Sequence, residues 1–275
     1  MFGYVVLGEI HGSENGGVLI LQSTTPEGEE KKFAGKFVKK LPYTNADLAA
    51  LRKEEQILNL VNGGPYLVKK CCSHEDHNYF LVVIEYLPID DLHSLWDRQH
   101  FTEDEVKFFA IEILLAIEHL HNASVVHRDI KPSNMGLDKD GHIAVYDFDL
   151  ADFYLYRGEE MRFKCGTPNF MPPEMEKGSS YDERVDWWNY GVTLYFLMFR
   201  KFPSWDERGL LKTESLPFLA TPEFVDLLRQ LLKKNPYRRL VKPGRDANDI
   251  KAHAFFQGVD WGAYMSRAVK PPPLE

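Results

Sequence analysis

Residues 186–199 carry apolar side chains nearly all round a helix. A helix without a polar face belongs at the centre of a domain, covered on every side. Amphipathic helices occur elsewhere in the chain. Thr102-Glu103-Asp104-Glu105 is a capping box, in which a hydroxyl and a carboxylate satisfy the orphan amides of a first turn. Behind it Val106, Phe109, Ala110, Ile113, Leu114, Ile117 and Leu120 form a wide apolar stripe. Thr221-Pro222-Glu223 opens another helix, with Phe224, Leu227, Leu228 and Leu231 on one face. Upstream of Pro88 the pattern is different. Short β-rich runs fall at 4–7, 18–22, 32–39 and 79–85, with a Pro- and Gly-containing turn over 24–30. One helix interrupts them over 46–61, where Leu48, Leu51, Leu58 and Val61 recur at helical spacing before the stop at Asn62-Gly63-Gly64-Pro65. The expected fold is α+β: a small antiparallel β-rich lobe with one helix over 1–86, joined to a larger, mainly helical lobe over 87–275. Such a junction forms a cleft, a common place for a ligand.

Charge narrows the partners. Forty-one acids against thirty-three bases give −8, so binding nucleic acid through phosphate neutralisation is not expected. The longest apolar runs, such as 192–199, fall far short of the roughly 20 residues a membrane helix needs. The opening residues have no basic n-region or small-residue cleavage site, and so do not read as a signal peptide. Three cysteines, with Cys71 and Cys72 adjacent, cannot build a disulfide framework and offer no metal spacing. A soluble cytoplasmic protein is the expectation, with the nucleus left open.

The chemistry-bearing residues come in a fixed order. Phe33-Ala34-Gly35-Lys36 sits in the third predicted strand. His127-Arg128-Asp129-Ile130-Lys131-Pro132-Ser133-Asn134 follows the capped helix, and Asp147-Phe148-Asp149 comes next. Gly166-Thr167-Pro168 and Pro172-Pro173-Glu174 lie further on. This set resembles the eukaryotic protein kinase family over almost the whole chain. Val185-Asp186-Trp187-Trp188 and the closing run from Ala252 to Trp261 make it most similar to the AGC-type serine/threonine kinases.

The resemblance implies a bilobal kinase fold, ATP and magnesium (or manganese) as cofactors, a protein substrate, and room for a regulatory partner. Phosphoryl transfer needs positioning and charge neutralisation more than covalent chemistry. Asp129 is expected to accept the proton of the substrate hydroxyl, and Lys131 to reach the transferring phosphate. Asn134 and Asp147 offer the hard oxygen ligands that magnesium prefers. Lys36 is expected to neutralise the nucleotide phosphates, held by Glu54, with Glu55 as the register alternative. By the same resemblance Ile10, Gly16, Val18 and Ala34 line the nucleotide site. Glu85 and Leu87 offer backbone hydrogen bonds to adenine, Ile84 takes the gatekeeper position, and Asp91 contacts the ribose or simply caps the helix after it.

Four departures from the family stand out. Of the three phosphate-loop glycines only Gly16 remains, with His11 and Ser13 at the others. Asp149 replaces the glycine of Asp-Phe-Gly. Gly136 stands where a large apolar floor residue is usual and Tyr146 where a small residue is usual, a pair expected to compensate in volume. In the activation segment Phe163 and Asp152 replace a phosphorylated threonine and its basic partner. Phe163 is expected to bury its ring, with Asp152, Glu159 or Glu160 pairing with Arg128. The sequence stops at Pro-Pro-Pro-Leu-Glu275, before the regulatory tail that AGC-type relatives carry. Acids that select arginine in substrates fall at Ser133 and Phe196 here, so strong basophilic selectivity is not expected. Two functions follow: an active serine/threonine kinase, or a kinase-shaped scaffold with little or no turnover.

Overall fold

A computed structural model describes residues 3–13, 16–24, 29–40, 45–213 and 220–273. Most of the 24–30 turn, the tip of the phosphate loop at 14–15 and the last two residues lie outside them.

The first lobe is a five-stranded antiparallel sheet and one helix. Its strands are β1 (Val5–Ser13), β2 (Gly16–Thr24), β3 (Glu30–Lys39), β4 (Lys70–Glu75) and β5 (Tyr79–Glu85), in the order β1-β2-β3-β5-β4. Helix α1 (Asn45–Val61) runs between β3 and β4 and packs on β3, β4 and β5. It buries Leu51, Ile57, Leu58 and Val61 against the sheet. β4 was not foreseen: Lys-Cys-Cys-Ser-His-Glu has neither alternation nor β-branched residues. The other strands extend beyond their predicted runs, and β5 coincides with its own.

The second lobe begins with β6 (Ile89–Asp91) and α2 (Leu92–Arg98), followed by α3 (Glu103–Asn122), β7 (Val125–Val126), β8 (Met135–Leu137), β9 (Ile143–Val145) and β10 (Asp152–Phe153). Helices α4 (Pro173–Glu176), α5 (Val185–Phe199) and α6 (Pro222–Leu231) come later. The capping box forms at Thr102, and Thr221 caps α6 by accepting from the Phe224 amide. Helix α5 is the buried centre, in contact with α3 and α6. Most of its buried polar groups are paired: Tyr190 donates to the Ala110 carbonyl at 3.0 Å, Thr193 to that of Ile130 at 3.2 Å and Asn189 Nδ2 to that of Phe170 at 2.7 Å, while Trp188 Nε1 and Asn189 Oδ1 are left without a partner among the described residues. The apolar core is continuous between lobes, running from Val38, Leu58 and Phe80 to Leu114, Trp187 and Leu194.

Candidate active site

Between the lobes lies a cleft of about 540 Å³. Ile10, Val18 and Ala34 form its upper wall, Ile84, Glu85 and Leu87 its back edge, and Asp91, Gly136, Tyr146 and Asp147 its floor. Of the residues expected to line a nucleotide site, only Gly16 lies outside it. Gly16 belongs to β2 and lines an adjoining cavity of about 470 Å³. A β-carbon there would sit 2.6 Å from the Phe37 carbonyl oxygen, and one on Gly17 2.4 Å from that of His11. Both glycines therefore permit close backbone approach within the sheet.

Lys36 projects from β3 toward α1. Its Nζ is 2.9 Å from Glu54 Oε2 and 3.7 Å from Asp147 Oδ1, and it also donates to Asp149. Glu54 in turn lies 3.3 Å from the Phe148 amide, which donates to Oε1. Glu55 points the other way, to Lys70 on β4 at 3.1 Å and to Ser73. The geometry thus selects Glu54 over Glu55. Burial works against the charge on Lys36, yet Glu54, Asp149 and Asp147 hold its pKa above the usual lysine range. Burial also pushes the Glu54 carboxyl up to about 7, against the pull of Lys36. Desolvation opposes ionisation of Asp149 too, and the Lys36 charge overcomes it, keeping that carboxyl low.

A second group surrounds Asp129. Its Oδ2 is 2.7 Å from Lys131 Nζ, and its Oδ1 accepts from the Thr167 amide at 2.9 Å. Lys131 also donates to the Thr167 hydroxyl at 2.5 Å, and Asn134 donates to the Asp129 carbonyl at 3.0 Å. Burial raises the Asp129 pKa, but the bonds from Lys131 and Thr167 outweigh it and hold the carboxyl below its usual range. The two groups meet through Asn134, whose carbonyl accepts from the Tyr146 amide at 3.0 Å, immediately before Asp147.

The buried start of α5 holds this loop in place. Asp186 accepts from the backbone amides of His127 and Arg128 at 2.9 and 2.8 Å, and lies 2.9 Å from His121 Nε2. Left-handed backbone falls on Arg128 (φ 68°) and Asp147 (φ 65°), a cost of about 1–3 kcal/mol each that the surrounding bonds must offset. Phe148 is fully buried with its ring 5.1 Å from that of His127, which ties the segment after Asp147 to the loop that carries Asp129.

Two expectations need correction, the Gly136–Tyr146 compensation and the burial of Phe163. The space above Gly136 is filled by Leu87: a β-carbon on Gly136 would lie 2.3 Å from Leu87 Cδ1. Tyr146 instead spends its hydroxyl on the Ser133 carbonyl at 2.7 Å. The volume compensation therefore involves the cleft's back edge, which sequence spacing could not reveal. Phe163 is 67% exposed rather than buried, and its ring stands 6.0 Å from the Arg128 guanidinium. Among the three candidate acids it is Asp152 that meets Arg128, while Glu159 accepts from the Leu155 amide. Asp91 caps α2, with Oδ1 accepting from the His93 and Ser94 amides at 2.9 Å and Oδ2 from the Ser94 hydroxyl at 2.9 Å.

A β-rich lobe over a helical lobe, with a lysine–glutamate pair above the cleft and an aspartate–lysine–threonine unit below it, defines the protein kinase fold. The chain belongs to the protein kinase domain family, whose model matches residues 15–256. It is 36% identical to RAC-beta serine/threonine-protein kinase of Rattus norvegicus over 216 residues, 76% of this chain and 45% of that protein. It is 31% identical to ribosomal protein S6 kinase 2 alpha of Gallus gallus over 268 residues, 94% of this chain and 35% of that protein. Protein kinase C-like 1 of Caenorhabditis elegans is 33% identical over 256 residues, 90% and 36%. The chain spans less than half the length of these relatives. Among the described residues no helix is long and apolar enough to cross a membrane.

Proposed function

We infer that this chain is a serine/threonine protein kinase domain, 1–86 and 87–275 acting as one unit, that transfers the γ-phosphoryl group of ATP to a protein hydroxyl. The observation that carries this reading is the join between the Lys36–Glu54 pair and Asp147 on one side and the Asp129–Lys131–Thr167 unit on the other. Ionised and held by Lys131, Asp129 takes the proton of the acceptor hydroxyl. The oxygen–phosphorus bond forms as the bond from the γ-phosphorus to the bridging oxygen breaks, and ADP leaves with that electron pair. Lys131, already on Asp129, steadies the charge of the transferring group, and Lys36 that of the remaining phosphates.

Asn134 and Asp147 are the residues that would hold magnesium, since both offer the hard oxygen donors it prefers, and the Asp147 carboxylate also lies within 4.8 Å of those of Glu54 and Asp149. The ion supplies neutralisation of phosphate charge when bound. Ile10, Val18 and Ala34 shelter the adenine, the backbone of Glu85 and Leu87 orients it, and Asp91 serves the ribose beside its capping role. One observation favours the scaffold reading: Asp149 already occupies the lysine that phosphates need.

The test is magnesium-dependent transfer by Asp147→Ala and Asn134→Ala, each compared with wild type. Asp147 lies on a loop, and Asn134 closes a single 3-10 turn where its loss removes one bond to the Asp129 carbonyl, so each substitution should abolish transfer while leaving the melting temperature within a few degrees. Near wild-type turnover with ordinary magnesium dependence in either variant overturns the metal assignment.

A further inference from the structure

Asp152 touches none of the groups assigned to nucleotide or acceptor, yet it sits between two elements that must hold their relative positions. Strand β10 pairs with β7, setting Asp152 opposite Val126, two residues before Arg128. The Asp152 Oδ2 accepts from Arg128 Nη2 at 3.0 Å and lies 3.5 Å from Lys53 Nζ on α1. Lys53 directly precedes Glu54, the partner of Lys36, and Arg128 directly precedes Asp129. One carboxylate oxygen therefore spans from the helix that sets Lys36 to the loop that carries Asp129.

The surroundings of Arg128 are built for a permanent anion. Its side chain is 3% exposed, and its other donors go to the Leu150 carbonyl at 2.6 Å and the Tyr181 hydroxyl at 3.1 Å. Asp152 is its charged partner. Removing that anion would leave a buried guanidinium without counter-charge, a costly state. The activation segment offers no ready substitute. Its hydroxyls between Asp147 and Glu174 are those of Tyr154, Tyr156 and Thr167. Tyr154 is buried and donates to the His121 carbonyl at 2.6 Å, and Thr167 is engaged by Lys131. Tyr156 alone of the three is exposed.

We propose that Asp152 is a positioning residue that clamps α1 to the catalytic loop from within the chain, so that the site is assembled without any phosphate on the activation segment. This rests on the kinase reading above for its consequence, but not for its geometry. A fixed carboxylate at this place does what a charge-assisted contact to an added phosphate would do: it links two cations from separate elements. It does so with no enzyme needed to install it.

The experiment uses the purified chain after phosphatase treatment, with loss of any phosphate confirmed by mass spectrometry. Hydrogen exchange is followed across residues 45–61, and kcat and KM are measured in parallel. Three variants are compared with wild type. Asp152→Asn keeps the shape and removes the charge, Asp152→Glu keeps the charge, and Lys53→Met breaks only the arm to α1. Phosphatase treatment should leave wild type unchanged. Asp152→Asn should speed exchange in α1 and lower kcat about tenfold, the scale of one lost charge-assisted bond, with acceptor KM little changed. Asp152→Glu should recover most of both, and Lys53→Met should reproduce the faster exchange. Wild-type exchange in Asp152→Asn and Lys53→Met overturns the clamp, as does a wild-type rate that collapses on dephosphorylation. Faster α1 exchange in a chain that transfers no phosphate at all sustains the clamp and defeats the kinase reading instead.

Discussion

Substituting Asp149 by Asn should tighten binding of metal-free nucleotide. Lys36 is one cation among three carboxylates, those of Glu54, Asp147 and Asp149, so an arriving phosphate meets an already satisfied lysine and excess negative charge. Asp149 is the removable member: 47% of its side chain is exposed, and Lys36 keeps Glu54 at 2.9 Å without it. Solvent screens a half-exposed carboxylate strongly, so its effect on a bound phosphate is set at about 1 kcal/mol rather than the several kcal/mol of a dry site. That corresponds to about fivefold in Kd. Isothermal titration with ATP in chelator should show the Asn variant binding about fivefold tighter than wild type. With magnesium present the gain should shrink, because the cation neutralises the same carboxylates. A variant that binds metal-free ATP no better than wild type would refute the reasoning. One that loses affinity only with magnesium would make Asp149 a metal ligand instead.

Gly136→Leu should weaken ATP binding and cost about 1–3 kcal/mol of stability through overpacking, because its first side-chain atom already meets Leu87. Adding Leu87→Ala should restore much of both, and a double-mutant cycle without coupling would contradict the packing assignment. Glu54 predicts a pH signature. Its carboxyl takes up a proton near pH 7 in the folded chain but at its ordinary 4.5 when unfolded, so the folded state binds more protons between those values. Its contribution to stability therefore falls as pH rises from about 4.5 to about 7 and is level above. Denaturant titrations at several pH values should show this slope as the difference between wild type and Glu54→Gln. A difference that rises over that interval would contradict the burial argument.

How much of this was legible before the structure depends on the range of the interactions involved. The capping box at Thr102, the turn signals after α1 and the apolar girth of α5 are local, and each element appears where its residues place it. The order of Lys36, Asp129, Asn134 and Asp147 pointed to one site. Glu54 was preferred over Glu55 by resemblance alone, because the physical choice depends on how α1 is rotated against β3. Leu87 above Gly136 escaped notice because the contact joins the cleft's back edge to its floor, 49 residues on. Phe163 was expected inside because burial is the default for a large ring, whereas here it stacks near an arginine and stays in water. β4 was missed because its strand character comes from pairing with β5 rather than from its own composition.

The central claim is that the residues around Asp129 transfer phosphate rather than merely resemble those that do. A single-turnover reaction of the purified chain with γ-labelled ATP, magnesium and a degenerate serine/threonine peptide mixture tests it most directly, run beside Asp129→Asn with nucleotide affinity measured for both. The account predicts label on peptide hydroxyls with wild type, at least a hundredfold less with Asp129→Asn, and ATP affinity within about threefold between the two. Tight ATP binding by both proteins with no label transferred by either would contradict it.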